Sequence, residues 1–446
     1  MRGDYLIIPG CSDLNRGDQS LVWETKRLAE DSGYTGTCYL ISEINEPTVQ
    51  SENRGIKIIS PILEHPSRKS SNKNNISYGR IVKFKWGVVA ILDFLFSLSL
   101  LWKYTRKVSI KMLGKEKRKT FAIFNEVDAV FMKGGGLLQT YGGIVSTYSM
   151  YFWVYHIFLA DVLGKNVYVL PNSFGPFDGP FVKSIVKYAL NKCKLIYARE
   201  SLSQQMLKNE LGFNVTVKPD LAFFMSTQKY DNCEKKKFIK KHNIPLNKKI
   251  VAITIRPYRF PTSTDPINAY VKFKKEMAKF IDKIINSEFY PLVVEHTLAV
   301  NSHENDGSCI KEVMEMVKSK DYTIISNANY NCYDLKKIYG YCDFIVGTRF
   351  HSVIFSLSQY IPAIAISYIG NKTMGIMKDI GLEEYVIDIE EVSCNRLLEM
   401  FDKMKNNRML IIEKIQKYAL NFEVARNEMV NQIQKSGGLL DEEIKK

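Results

Sequence analysis

The segment Val346-Gly347-Thr348-Arg349-Phe350-His351-Ser352 holds the densest chemistry in the chain. An apolar run ends in a glycine and then presents Arg349 and His351 where a helix would start. A helix N-terminus attracts anions and disfavours an imidazolium, which holds a histidine near its neutral form. Arg349 offers a planar fork for phosphate or carboxylate. Tyr368 and Lys372 follow the next apolar run, Ala363–Ile366. A lone histidine is ordinarily a structural one. Arg, His, Tyr and Lys after two successive strands point instead to an anion site with an acid–base group.

Four other segments have the composition of ligand contacts, each with a plainer reading beside it. Asn15-Arg16-Gly17-Asp18 precedes a helix, and Asp18 is either a ligand contact or the cap of that helix. Lys133-Gly134-Gly135-Gly136 ends an apolar strand, where bare backbone N–H groups suit an anion. It has neither Walker nor GxGxxG spacing, and glycines also serve ordinary turns. Pro171-Asn172-Ser173-Phe174-Gly175-Pro176-Phe177 reads as a loop fixed at a strand end, with Asn172 and Ser173 as its polar groups. Arg199-Glu200-Ser201 places a cation at the end of an apolar run, and Ser201 either binds or caps the next helix.

These segments are spaced by a strand–helix rhythm. Candidate strands are Tyr5–Ile8, Thr37–Ile41, Ala129–Met132, Asn166–Leu170, Leu195–Ala198 and Val215–Lys218, with amphipathic stretches between them. Such alternation predicts a parallel sheet covered on both faces. The rhythm breaks over 229–249, a lysine-rich linker with a short solvated helix. It resumes from Ile250 through Tyr290–Val294, Tyr322–Ile325, Phe344–Val346 and Ala363–Ile366. The expectation is an α/β protein of two Rossmann-like domains, 1–228 and 250–446, facing across a cleft, with ligands at the carboxyl ends of strands.

Composition narrows the class. The chain has 446 residues, 46% hydrophobic and 24% charged, enough for a large core and too apolar for disorder. Its net charge of +15 favours anionic partners. No nucleic-acid module is present, so nucleic acid is not expected. The eight cysteines are scattered without CxxC pairs, which fits reduced thiols in the cytoplasm, and no residue pattern demands a metal. The stretch Trp86–Trp102 is apolar apart from Asp93 and is followed closely by Lys103, Arg106, Lys107, Lys111, Lys115, Lys117, Arg118 and Lys119. A buried helix on the first sheet is the expected reading. The alternative is a peripheral patch on the anionic inner face of the cell membrane.

The order of these segments resembles the polysaccharide pyruvyl transferases. The motifs shared are Gly17-Asp18, Gly134–Gly136, Ser173-Phe174-Gly175-Pro176, Arg199-Glu200-Ser201, Pro219-Asp220, Arg349-Phe350-His351, and Tyr368 with Lys372, across roughly Asn15 to Leu382. Each is weak alone, and their common order is specific. Three features depart from the pattern: Asn172 stands where a glutamine is usual, Ser60–Lys119 is long, apolar and basic, and Glu304 and Asp306 occupy a loop where the family often shows Asp.

The resemblance implies a fold similar to the glycosyltransferase type B arrangement. It implies transfer of pyruvate from phosphoenolpyruvate, a donor substrate and not a bound cofactor, to two hydroxyls of one sugar as a cyclic ketal. The acceptor would belong to a cell-surface polysaccharide or its lipid-linked precursor. Arg199, Arg349 and Lys372 would hold the donor's phosphate and carboxylate. His351 would be the acid–base group, helped by Arg349. Asp18, Gly134, Gly135, Gly136, Asn172, Ser173, Ser201, Ser352 and Tyr368 would complete substrate binding. Two rivals fit the same architecture: a nucleotide-sugar glycosyltransferase, and a non-catalytic sugar- or lipid-carrier-binding partner in polysaccharide assembly.

Overall fold

Runs such as Tyr5–Ile8 and Ala129–Met132 are apolar and buried at every position, as strands covered on both faces must be. A computed structural model describes residues 3–42, 47–63, 80–226, 232–299, 304–368 and 370–438. The first sheet contains β1 (Tyr5–Ile8), β2 (Cys38–Ile41), β3 (Ile56–Ile59), β4 (Ala129–Met132), β5 (Gly135–Tyr141), β6 (Asn166–Asp178), β7 (Leu195–Ala198) and β8 (Thr216–Val217). Its order is β3-β2-β1-β4-β6-β7-β8, all parallel, with β5 also paired to β6. The second sheet contains β9 (Lys249–Thr254), β10 (Phe289–Val294), β11 (Thr323–Ile325), β12 (Phe344–Gly347), β13 (Ala363–Ser367) and β14 (Val386–Asp388). Its order is β11-β10-β9-β12-β13-β14, again all parallel.

In the second sheet the strand order runs one way from β9 to β11 and the other way from β12 to β14. The switch lies between β9 and β12, where the two connecting helices leave on opposite faces and open a crevice at the strand ends.

The chain divides into two units, Met1–Asp13 with Leu21–Leu221 and Glu423–Lys446, and Leu14–Ser20 with Ala222–Phe422. This differs from a division into 1–228 and 250–446. Leu14–Ser20 goes with the second unit because its groups bond there. Leu298 N–H donates to Leu14 O at 3.0 Å, Arg16 Nη2 to Asn327 O at 2.7 Å, and Cys332 N–H to Gln19 Oε1 at 2.9 Å. The terminal helix Phe422–Ser436 is tied to the first unit by Tyr197 Oη donating to Gln432 Oε1 at 2.7 Å and by the Lys218–Glu428 and Arg426–Asp31 ion pairs. Within 229–249, the helix Asn232–Lys241 forms as expected. It is not a free linker, because Phe238 packs against Tyr341 with ring centroids 5.3 Å apart and Glu234 pairs with Lys337. Residues 227–231 lie outside the described residues.

Three local expectations are revised. The Gly134–Gly136 segment leads into β5, which starts at Gly135, and Gly134 is small because a Cβ there would lie 2.9 Å from the Pro171 carbonyl oxygen. The Pro171–Phe177 loop is the continuation of β6, whose pairing with β7 shifts register between Val169 and Asn172, where Pro171 can sit without a ladder bond. The apolar helix, Arg80–Leu101, is not buried: among its described side chains only Ser97 and Leu100 are, and most of its large apolar side chains face out.

Candidate active site

Parallel strands deliver whatever follows them to one edge of the sheet. In the second unit, Arg256 follows β9, His296 and Thr297 follow β10, Arg349 follows β12 and Tyr368 follows β13. Thr254, the last residue of β9, fixes the β12 end. Thr348 N–H and Oγ1 both donate to Thr254 O, at 3.2 and 3.0 Å, and Thr254 Oγ1 lies 2.9 Å from Ser352 Oγ. Ser352 donates to Arg349 O at 2.6 Å and is wholly buried. It therefore shapes the turn from inside rather than facing a ligand.

Arg349 is the N-cap of the helix Phe350–Leu357, and its side chain is buried. Its Nε donates to Asp306 Oδ1 at 2.8 Å, its Nη1 to Glu304 Oε2 at 3.0 Å and its Nη2 to Glu304 O at 2.7 Å. Asp306 also accepts from the backbone N–H groups of His296, at 3.1 Å, and Thr297, at 2.9 Å. Burial pushes the Asp306 carboxyl up, while Arg349, the Thr297 N–H and the Arg256 charge pull it down without fully offsetting the rise. Glu304 is more open. Burial also raises it, but the Arg349 and Arg256 charges outweigh that and hold it below its ordinary value.

Beside this pair sits a cation-flanked phenol. The Arg256 guanidinium carbon lies 4.0 Å from the Tyr368 ring centroid, and Lys372 Nζ donates to Tyr368 Oη at 3.0 Å. Burial would raise the phenol. The charges of Arg256, Lys372 and Arg349 outweigh it and bring the pKa down from 10.0 to about 7. A phenol so placed is half ionised near neutral pH and can take a proton from a hydroxyl. Arg256 also lies 3.5 Å from Glu304.

His351 occupies the first turn of its helix, its ring against Gly17. A Cβ on Gly17 would lie 2.4 Å from Nδ1. Asp18 does not cap its helix: Asn15 does, its Oδ1 accepting from the N–H groups of Gly17 and Asp18 at 3.1 and 3.2 Å. Asp18 instead accepts from Asn15 Nδ2 at 2.8 Å, which holds the Gly17 turn closed against His351. His296 is buried nearby with Nδ1 3.1 Å from Tyr339 Oη. Burial first, then the charges of His351, Arg349 and Arg16, depress its pKa well below the ordinary value, so it stays neutral.

The first unit gathers the remaining expected residues. Arg199 Nε donates to Ser173 Oγ at 2.7 Å, its Nη1 to Asp220 Oδ2 at 2.7 Å, and its backbone N–H to Asn172 O at 3.0 Å. Arg199 and Asp220 are both fully buried, so this guanidinium already has its counter-charge. Asn172 Nδ2 donates to Lys133 O at 3.0 Å and Leu170 O at 2.8 Å, joining the glycine segment to β6. Ser201 is the first helical residue and Glu200 the N-cap, so Ser201 does not cap. Among the described residues, no three His, Cys, Asp or Glu side chains group as a metal site.

Arg256, His296, Glu304 and Asp306 were not singled out as site residues by sequence reasoning. Arg256 carried a usable signal, a cation directly after a buried strand, the feature that marked Arg199. His296 likewise follows Val294 by two positions. Glu304 and Asp306 stood out only as loop acids where the family often shows Asp, and nothing in the sequence tied Asp306 to Arg349, forty-three positions along the chain.

The chain is 24% identical over 319 residues to the amylovoran biosynthesis protein AmsJ of Erwinia amylovora, covering 70% of this chain and 74% of that one. It is similar in fold to a glycosyltransferase from Rickettsia africae (TM-score 0.54, 16% identity, 99% of this chain and 98% of that one). A UDP-GlcNAc 2-epimerase from Neisseria meningitidis is comparably similar (TM-score 0.54, 12% identity, 97% and 100%). The two-domain α/β architecture is thus of the glycosyltransferase type B kind. The polysaccharide pyruvyl transferase pattern matches residues 15–370, from the Asn15 turn to just beyond Tyr368, and the chain belongs to that family of polysaccharide-modifying transferases.

Proposed function

We propose that the protein transfers pyruvate from phosphoenolpyruvate to two hydroxyls of one sugar, forming a cyclic ketal and releasing phosphate. The acceptor is a cell-surface polysaccharide or its lipid-linked precursor, met in the cytoplasm where the donor is made. The observation that carries this reading is the Tyr368 phenol set between Arg256 and Lys372 and lowered further by Arg349. Such a site offers cations to a donor with both a phosphate and a carboxylate, and a base to an incoming hydroxyl.

His351, protonated, gives its proton to C3 of the enol, which leaves C2 cationic. The first sugar hydroxyl adds to C2, and its proton passes to the Tyr368 phenolate. The C2–O bond to phosphate breaks, and phosphate leaves with the proton held by Tyr368. The second hydroxyl adds to C2 and returns a proton to His351. Arg256 and Lys372 hold the donor anion, and Arg349 joins them by exchanging Glu304, its more exposed partner, for substrate. Asp18 keeps His351 in place through the Gly17 turn.

A second reading, a nucleotide-sugar glycosyltransferase, has its own observation: one of the similar folds, from S. aureus, is a complex with UDP (TM-score 0.58, 11% identity). Calorimetry decides between them. Binding of phosphoenolpyruvate and none of UDP-sugars supports the pyruvyl reading. Binding of UDP-sugars alone overturns it.

A further inference from the structure

We propose that the helices Arg80–Leu101 and Lys103–Met112 form a surface that docks on an anionic lipid bilayer. This is independent of the donor chemistry. Phe84, Val88, Ile91, Leu95 and Leu98 recur at helical spacing along one face, and each is between 39% and 74% exposed. The opposite side is bound to the protein: Ser97 Oγ lies 2.7 Å from Tyr151 Oη, and Leu100 is fully buried. Asp93, the one carboxylate of the stretch, is half-buried on the side of Tyr148, whose phenol it helps to raise after burial itself. The stretch Phe84–Leu101 has a mean hydropathy of 1.8 and is only 11% buried, an apolar area that water disfavours. A helix anchored through Phe94 and Ser97 to Tyr151 of the helix Ile144–Val162 lies on a bilayer more readily than it crosses one.

The next helix identifies the partner. Tyr104, Val108 and Met112 stand four residues apart and form an exposed apolar stripe of their own, with Trp102 exposed at the junction. Lys103, Lys107 and Lys111 stand four apart beside them and are all exposed. Lys115, Arg118 and Lys119 follow, also exposed, against Glu116 as the single acid between Lys103 and Lys119. An apolar stripe edged by an aromatic pair and a basic stripe matches the acyl, interfacial and headgroup layers of an anionic membrane. Arg106 closes the corner between the helices by donating to Leu100 O and Leu101 O, both at 2.9 Å, so the two stripes are held in one geometry. Pairing with a second copy would instead oppose two such basic stripes.

The test is flotation of the full chain with phosphatidylcholine vesicles, with and without phosphatidylglycerol. The protein should float only with the anionic vesicles and be released as salt rises. The Lys103→Ala/Lys107→Ala/Lys111→Ala variant should bind on the order of 10²-fold more weakly. Ile91→Glu/Leu95→Glu should not float, with an unchanged far-ultraviolet circular dichroism spectrum. If that variant unfolds, the lysine variant decides. Three results would overturn the proposal: no flotation with either vesicle, equal flotation that ignores salt and the lysines, or concentration-dependent dimers abolished by Ile91→Glu/Leu95→Glu without lipid binding.

Discussion

Gly17 and His351 touch so closely that a Cβ on the glycine would fall 2.4 Å from the imidazole Nδ1 and 2.6 Å from Cγ. Neither ring nor turn has slack, since the turn is held by Asn15 and Asp18 and the ring sits in the first turn of a buried helix. Gly17→Ala should therefore displace His351. Turnover should fall on the order of 10-fold or more, with donor affinity changed much less. Steady-state phosphate release and calorimetry on the same variant check this.

The Tyr368 phenol sets a pH dependence with a definite sign. Its pKa, brought from 10.0 to about 7, makes the phenolate fraction rise as pH climbs through neutrality. A base in that form gives a rate that rises over the same range. Lys372→Met removes one lowering charge and should move this limb toward alkaline pH. Tyr368→Phe should lose it and lower turnover by about 10²-fold. An unchanged limb in the Phe variant would assign it to another group.

Asp306 is the counter-charge of a buried arginine and the acceptor for two backbone N–H groups. Removing it leaves Arg349 with only the more exposed Glu304. Asp306→Ala should cost about 3–5 kcal/mol of stability. Glu304→Ala should cost much less, because that carboxylate is partly in water. Chemical denaturation of the two variants separates them.

Arg199 and Asp220 form the corresponding buried pair in the first unit. Arg199→Ala should cost about 3–5 kcal/mol, and Arg199→Met/Asp220→Leu should recover part of the loss, because it removes both charges together. A fully stable Arg199→Ala that only fails to bind donor would make Arg199 a substrate ligand instead.

Strands were legible where their signal is local: β1, β4 and β7 are continuous apolar runs found at their full extent. β3 was hidden by Lys57 within only four residues, and β5 by the glycines that open it. The Arg349, His351, Tyr368 and Lys372 group was legible because each member follows a readable strand. What could not be read is contact across long stretches of chain. Asp306 on Arg349, Leu14–Ser20 packing with the second sheet and the terminal helix joining the first unit all depend on tertiary structure. The Arg80–Leu101 helix misled for a different reason: an apolar helix has the same sequence whether its face meets protein or solvent.

The most direct measurement is phosphate release from phosphoenolpyruvate with a glycan acceptor, comparing the wild type with His351→Ala and following acceptor mass in the same reaction. The wild type should release one phosphate for each acceptor that gains one pyruvate less one water. His351→Ala should bind the donor but turn over about 10²-fold more slowly or worse. Phosphate release without that mass gain, or a His351→Ala enzyme with near-normal turnover, would contradict a pyruvyl transfer centred on His351.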